Sequence, residues 1–212
     1  MESGEHPEAE GPVFELQVSE SDEASEKSMQ QKSYEEDFRP FRKGFFLYFS
    51  YGSNLLRERL LLKNPSATFL TIAKLEDYKL VFGQQRAWKS SAWKGGVATI
   101  EHSPGDHVWG VVWKLNRRHL QTLDLQESNY DGIEVNTKVN TGEILTCRTY
   151  VMQDMCSHVP PHPNYLDVII RGAVQNQLPP EYITFLKSIE DNGSKETTEI
   201  YLEVMNLSLI HI

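Results

Sequence analysis

Apolar and polar positions predict that a strand, a tight turn and a helix open the ordered part of the chain. Residues 45–51 form an aromatic and apolar run, which is typical of a buried strand. Residues 52–54 (Gly-Ser-Asn) interrupt this run. Residues 55–63 then alternate leucine with charged residues at helical spacing and end at an Asn-Pro pair, so we predict a helix there.

Strand patterns dominate the next part of the chain. Residues 68–75 and 78–82 are strand-like, and the polar segment 83–94 predicts a long loop. Two further apolar runs, 96–100 and 108–113, flank the sequence Ser-Pro-Gly-Asp. Its Pro-Gly pair is a turn signal, so we expect the two runs to form a hairpin.

The remaining patterns predict a second hairpin and three helices. A helix is expected over 117–126, capped by the asparagine that precedes it. Residues 133–139 and 144–152 flank turn-forming residues and predict the hairpin. Helices over 165–173 and 180–189 follow, the second with proline in its first turn.

Five or six strands with few helices predict an α+β fold, namely a small mixed β-barrel or curved sheet with flanking helices. A doubly wound parallel fold is excluded because it needs a helix after every strand. The domain is expected over 44–190. An N-terminal tail (1–43) precedes it, and a C-terminal tail of unassigned role (191–212) follows.

Charge supports this division, because the formal net charge of −9 is concentrated in the N-terminal tail. Residues 1–38 hold 12 of the 30 acidic residues and two lysines, which leaves 18 acidic and 19 basic residues elsewhere. Such a polar, acidic segment cannot bury enough apolar surface to fold, so we expect disorder. The near-neutral body lacks the basic stripe that nucleic-acid binding requires.

Several other classes of protein are excluded because the sequence lacks the patterns that mark them. No apolar run reaches the roughly 18 residues of a membrane span, and the chain lacks a signal-peptide pattern, so a cytosolic location is expected. Cys147 and Cys156 alone form neither a disulfide scaffold nor a zinc site. His158 and His162 have the spacing of a helical metal pair, but the prolines between them prevent that helix. We therefore expect neither metal nor cofactor.

The strongest chemical signal is the turn at 51–55. Glycine permits a sharp turn at a sheet edge, which would direct successive N–H groups into one anion-binding concavity. The N-terminus of the following helix would add partial positive charge there. The alternative is structural, with Ser53 or Asn54 capping that helix.

Glu127 is the second candidate because it follows the helix predicted over 117–126. The negative end of a helix dipole disfavours a carboxylate charge and raises its pKa, which suits a general base or acid. The alternative is an ordinary exposed glutamate, and from sequence alone Asp124 is equally available for the role.

Several segments, in chain order, resemble the gamma-glutamylcyclotransferase family over roughly residues 45–190. Each motif alone is weak, and their combination is specific. The matching segments are 46–55, 64–67, 103–106, 108–114, 123–127 and 146–150.

The resemblance implies a small mixed barrel with the turn and Glu127 on facing walls of one cavity. It implies a cofactor-free, homodimeric lyase whose small γ-glutamyl substrate cyclises to 5-oxoproline and releases an amino acid, in glutathione-related metabolism. Glu127 matches the family's catalytic glutamate. The substrate-binding residues that it implies are Tyr48, Phe49, Ser50, Tyr51, Gly52, Ser53, Asn54, Tyr130 and Tyr150.

Two alternatives stay open at this point. The segment between Glu127 and Tyr130 is shorter than the family's pattern and borders the site, which favours a divergent member. Such a member could act on γ-glutamyl-amines. It could also bind a small ligand or a protein partner without catalysis.

Overall fold

A computed structural model describes residues 44–85 and 91–210. The expectation of disorder in the N-terminal tail lies outside the described residues, as do residues 86–90 of the predicted loop and the last two residues. The strands are β1 (Phe45–Ser50), β2 (Thr68–Gln85), β3 (Val97–Asn116), β4 (Tyr130–Val139), β5 (Ile144–Met152) and β6 (Met155–His158). The α-helices are α1 (Arg57–Leu61), α2 (Leu120–Gln126), α3 (Pro163–Gln175), α4 (Pro180–Lys187) and α5 (Glu199–Ile210).

Five strands close into a mixed barrel in the order β3-β1-β5-β4-β2, and β2 pairs back onto β3. Neighbouring strands are antiparallel, except that β1 and β5 are parallel. Strand β6 extends the sheet beside β2. The predicted α+β fold with a small mixed barrel is therefore confirmed. Among the described residues, none of the helices has the length and hydropathy of a membrane span.

Strand β1 confirms the buried strand predicted from the aromatic run. It lies between β3 and β5, where Tyr48 is opposite both Trp113 and Arg148. Phe46 and Phe49 are buried. The core therefore surrounds the strand that leads directly into the turn at Gly52.

The hairpin expected around residues 103–106 is wrong. These residues bulge from one continuous strand, β3, which pairs with β2 on both sides of them. Asp77 lies opposite the bulge, and its carboxylate accepts a hydrogen bond from the Gly105 N–H at 2.9 Å. Gly105 has φ of +88°, a conformation that favours glycine. The turn signal marks a local bulge, and the segments 68–75 and 78–82 merge into β2.

The other predicted elements are present, with small shifts of their ends. Strands β4 and β5 form the second hairpin. The helix expected after Asn116 begins as a 3-10 turn, Arg117–His119, and Asn116 caps it by accepting from the Arg118 N–H at 3.0 Å. Helices α3 and α4 lie where they were predicted. Strand β6 and helix α5 were not predicted.

Helix α3 packs directly against the turn that follows β1. A Cβ at Gly172 would lie 2.4 Å from the Leu56 nitrogen and 2.5 Å from the Leu55 carbonyl carbon, so this approach requires glycine. Asn176 adds a hydrogen bond from its Nδ2 to the Leu55 carbonyl at 2.8 Å. Helix α3 therefore holds the turn in place.

We expect Gly172→Ala to lower the free energy of unfolding by about 1–3 kcal/mol, because the methyl group would overlap backbone atoms. Gly→Ala at other helix positions usually raises the free energy of unfolding. A decrease at Gly172 would therefore point to the close approach of α3 to the turn. Denaturant unfolding measures the change. Val174→Ala, on an exposed part of the same helix, is the control and should differ from wild type by less than about 0.5 kcal/mol. A Gly172→Ala variant more stable than wild type would contradict this packing.

Candidate active site

The turn after β1 does not lead straight into an α-helix. Ser53–Leu55 form a 3-10 turn, Leu56 is extended, and α1 begins only at Arg57. The expectation of a helix N-terminus at this turn is therefore wrong. The structural alternative is wrong as well, since neither Ser53 nor Asn54 provides a side-chain cap for these helices.

Gly52 is packed closely by its neighbours. Its φ of −107° lies outside the left-handed region that favours glycine. A Cβ at this position would lie 3.2 Å from the Ala98 Cβ and 3.2 Å from the Tyr165 hydroxyl. The absence of a side chain therefore lets the turn approach β3 and α3.

The first N–H groups of the turn face no protein acceptor among the described residues. Its hydrogen bonds run from the Leu55 N–H to the Gly52 carbonyl at 2.9 Å and from the Leu56 N–H to the Ser53 carbonyl at 3.1 Å. The N–H groups of residues 52–54 donate none of the described bonds. These residues line a cavity, where N–H groups without a protein partner can bind an anion.

This cavity, with about 330 Å³ of empty space, lies between the turn and Glu127. Eight of the ten predicted site residues line it, and they come from β1, the turn, the end of α2, β4 and β5. The lining residues are Tyr48, Tyr51, Gly52, Ser53, Asn54, Ala98, Glu127, Tyr130, Tyr150 and Tyr165.

Phe49 and Ser50 are the two predicted site residues that do not line the cavity. Phe49 is buried in the core. The Ser50 hydroxyl accepts a hydrogen bond from the Trp113 indole N–H at 2.9 Å and donates one to the Asn54 carbonyl at 3.2 Å. Ser50 therefore supports the turn from behind. Trp113 is itself buried in the core.

Two lining residues, Ala98 and Tyr165, were not predicted. The Ala98 N–H donates to the Tyr165 hydroxyl at 3.0 Å, and the Ala98 carbonyl accepts from the Tyr130 hydroxyl at 3.1 Å. The sequence signal for Tyr165 was weak, because its helical spacing is equally typical of a core residue. A buried tyrosine hydroxyl needs a polar partner, and that was the one available indication.

Glu127 ends α2, as predicted, and its carboxylate lines the cavity. Its Oε1 accepts hydrogen bonds from Asn54 Nδ2 at 2.9 Å and from Gln126 Nε2 at 3.3 Å. Burial raises the pKa of Glu127 above the ordinary value of a glutamate, and the charge of Arg59 is the largest opposing influence. The main cause of the raised pKa is therefore removal of water from around the carboxylate, whereas the sequence had suggested the helix dipole.

Asp124, which the sequence left equivalent to Glu127, has a different position. It accepts hydrogen bonds from Arg148 Nη2 at 2.8 Å and Nε at 3.1 Å, and from the Tyr150 hydroxyl. It does not line the cavity. Asp124 thus holds the side chains behind the site, and Glu127 is the one charged residue among the described lining residues.

Five neutral phenol groups also line the cavity. Burial raises the pKa of each of them, so they remain protonated near neutral pH and offer hydroxyl groups without charge. They are Tyr48, Tyr51, Tyr130, Tyr150 and Tyr165.

A model of the AIG2-like family matches residues 107–186, which run from β3 to α4. A Bos taurus protein named gamma-glutamylcyclotransferase is 51% identical over 164 residues, which are 76% of this chain and 87% of that protein. A Homo sapiens protein of the same name is 51% identical over 151 residues, 69% of this chain and 80% of its own length. A solved structure of a gamma-glutamyl cyclotransferase has a TM-score of 0.73 and 46% identity, covering 76% of this chain and 99% of its own. The chain belongs to the gamma-glutamylcyclotransferase family.

Proposed function

We propose that this lyase-class enzyme converts a γ-glutamyl-amino acid into 5-oxoproline and the free amino acid. Family membership supports the reaction. One observation carries the assignment of residues: the carboxylate of Glu127 and the turn at 52–54, whose N–H groups have no described acceptor, line the same cavity. This arrangement offers a base and an anion-binding group to one small substrate.

Glu127 would act first as a base. The α-amino group of the substrate is protonated near neutral pH and cannot attack until a proton is removed. Once Glu127 has accepted that proton, the amine nitrogen attacks the γ-carbonyl carbon and closes the five-membered ring. Glu127 would return that proton to the departing nitrogen as the bond between this nitrogen and the γ-carbon breaks. The ring nitrogen loses a second proton, which also ends on the departing amino group, so the products are the neutral lactam and an amino acid with an ammonium group. The reaction consumes no water and requires no cofactor.

The N–H groups of residues 52–54 would hold the second charged part of the substrate. This part is either the α-carboxylate of the γ-glutamyl group or the oxyanion that develops on the γ-carbonyl. The surrounding tyrosines restrict the orientation of the substrate, and an intramolecular attack gains most from orientation.

The remaining expectations from the resemblance belong to this proposal. They are a cytosolic location, a role in glutathione-related metabolism and a homodimeric state. Light scattering of the purified protein tests the last of these, and a monomer at assay concentration would contradict it.

The proposed function is tested by incubating the purified full-length chain with γ-glutamyl-alanine and measuring 5-oxoproline and alanine. We expect both products in equal amounts. Thermal stabilisation by γ-glutamyl-alanine without product would instead support the non-catalytic alternative. Turnover of γ-glutamyl-amines without turnover of γ-glutamyl-alanine would support the other alternative.

Asn54→Asp should shift the pH dependence of the reaction. The amide that donates to Glu127 at 2.9 Å would become a carboxylate, and a neighbouring negative charge raises the pKa of Glu127 further. Because the base must be deprotonated, the acid limb of kcat/KM against pH should lie above the ordinary glutamate range in wild type. We expect it to lie roughly one pH unit higher still in Asn54→Asp. An unchanged acid limb would contradict the role of Glu127 as the base.

A further inference from the structure

A second pocket adjoins the cavity and shares part of its wall. It has about 740 Å³ of empty space. Arg59 of α1, Trp93 and Ile200 of α5 are among the residues on its other sides. The residues that line both spaces are Ser53, Glu127, Tyr130 and Tyr165. Glu127 therefore stands at the junction of a smaller inner cavity and a larger outer pocket.

Arg59 is the one cation among the described residues of the outer pocket. Its Nε is buried and has no hydrogen-bond partner in the described structure. None of the ion pairs between described residues includes it. Buried N–H groups are nearly always hydrogen-bonded, so an acceptor supplied by a bound ligand would complete this site.

The charge of Arg59 acts at the junction of the two spaces. It lowers the pKa of Glu127 against the effect of burial, although the ion pairs between described residues do not include these two side chains. A carboxylate in the outer pocket would therefore meet Arg59 on one side while the reacting centre faces Glu127 on the other. Guanidinium groups suit carboxylates because their planar donors match both oxygens.

We propose that Arg59 binds the α-carboxylate of the departing amino acid. The inference rests on the proposed function, which places the γ-glutamyl group in the inner cavity so that its α-amine meets Glu127. The γ-carbonyl then lies at the junction, and the departing part extends into the outer pocket. A γ-glutamyl-amino acid carries a carboxylate there, whereas a γ-glutamyl-amine does not. Arg59 therefore selects between these two substrate classes.

The test compares γ-glutamyl-alanine with γ-glutamyl-alaninamide, which differs only in having a neutral amide in place of the departing carboxylate. We expect wild type to favour γ-glutamyl-alanine by roughly 10- to 100-fold in kcat/KM, the range of a charge-assisted hydrogen bond. Arg59→Gln should lose that preference, so that its kcat/KM for γ-glutamyl-alanine falls by roughly 10- to 100-fold more than its kcat/KM for the alaninamide. Rates are taken on the plateau of the pH profile, because Arg59 also influences Glu127.

Two further variants make the result specific. Arg57→Gln removes an exposed arginine from the same short helix and should retain the wild-type preference. Arg59→Lys keeps the charge without the planar donors and should retain part of the preference, which also provides a reading if Arg59→Gln folds poorly.

Equal losses for both substrates in Arg59→Gln would overturn the inference, because Arg59 would then act on the γ-glutamyl group or on Glu127. Equal use of both substrates by wild type would overturn it too. In either case the proposed function would stand. Absence of 5-oxoproline from both substrates in wild type would overturn the proposed function itself, and the inference with it.

Discussion

Glu127→Gln should lower kcat/KM for 5-oxoproline release from γ-glutamyl-alanine by about 100- to 10,000-fold, the usual contribution of a general base. The amide cannot accept the proton of the substrate ammonium group. The substitution is otherwise conservative, since an amide oxygen can still accept the hydrogen bonds that Asn54 and Gln126 donate to Oε1. The loss should therefore lie in kcat, with a smaller change in KM.

Glu143→Gln provides the matched control for this variant. Glu143 is exposed in the turn between β4 and β5, away from the residues of these strands that line the cavity. We expect its activity to remain within about two-fold of wild type, as is usual for an exposed substitution. A Glu127→Gln variant with activity as high as that of Glu143→Gln would show that Glu127 is not the base.

Glu127→Gln should also change the stability of the protein. Whereas it lowers activity, we expect it to raise the free energy of unfolding at pH 7. Burial raises the pKa of Glu127 in the folded state above its unfolded value. Its stabilising contribution is therefore complete only below the unfolded pKa and is lost as the pH rises through the folded pKa. Raising the pH above the unfolded pKa therefore costs the folded wild type free energy that Glu127→Gln does not lose. Unfolding measurements should show the variant to be the more stable at pH 7, with a smaller difference near pH 4.

Local features of the sequence marked the turn and the end of α2 as candidates, and the family resemblance supplied the other predicted residues that line the cavity. The turn at 52–54 and Glu127 each follow the end of a predictable element, so their position in the chain reveals their place in the fold. The physical reasons were partly different. Gly52 has a φ outside the left-handed region and lies in a closely packed turn, and burial is the main influence on the Glu127 pKa.

Non-local contacts account for what the sequence did not predict. Tyr165 reaches the cavity only because Gly172 lets α3 lie on the turn, and no short-range pattern reports that approach. The segment 103–106 has ordinary turn chemistry, and its status as a bulge depends on pairing with β2. Asp124 and Glu127 lie three positions apart in sequence. They differ because Arg148 approaches one of them from β5.

Asp124 and Arg148 form an ion pair, largely removed from solvent, that supports the site from behind. Their side chains are 19% and 6% exposed, and the Arg148 Nη2 lies 2.8 Å from the Asp124 carboxylate. The Tyr150 hydroxyl, which belongs to the cavity wall, donates to the same oxygen. Loss of this carboxylate would remove the acceptor that holds both side chains.

Asp124→Leu should therefore lower the free energy of unfolding by about 3–5 kcal/mol, the usual cost of removing one partner of a buried ion pair. Adding Arg148→Met should recover part of that loss, because the guanidinium no longer has to be buried without its partner. Denaturant unfolding of both single variants and the double variant gives the coupling between them. Independent, additive losses would contradict the pairing. Together with Glu127→Gln, this separates the two carboxylates: removal of Asp124 should chiefly cost stability, whereas removal of Glu127 should cost activity and increase stability at pH 7.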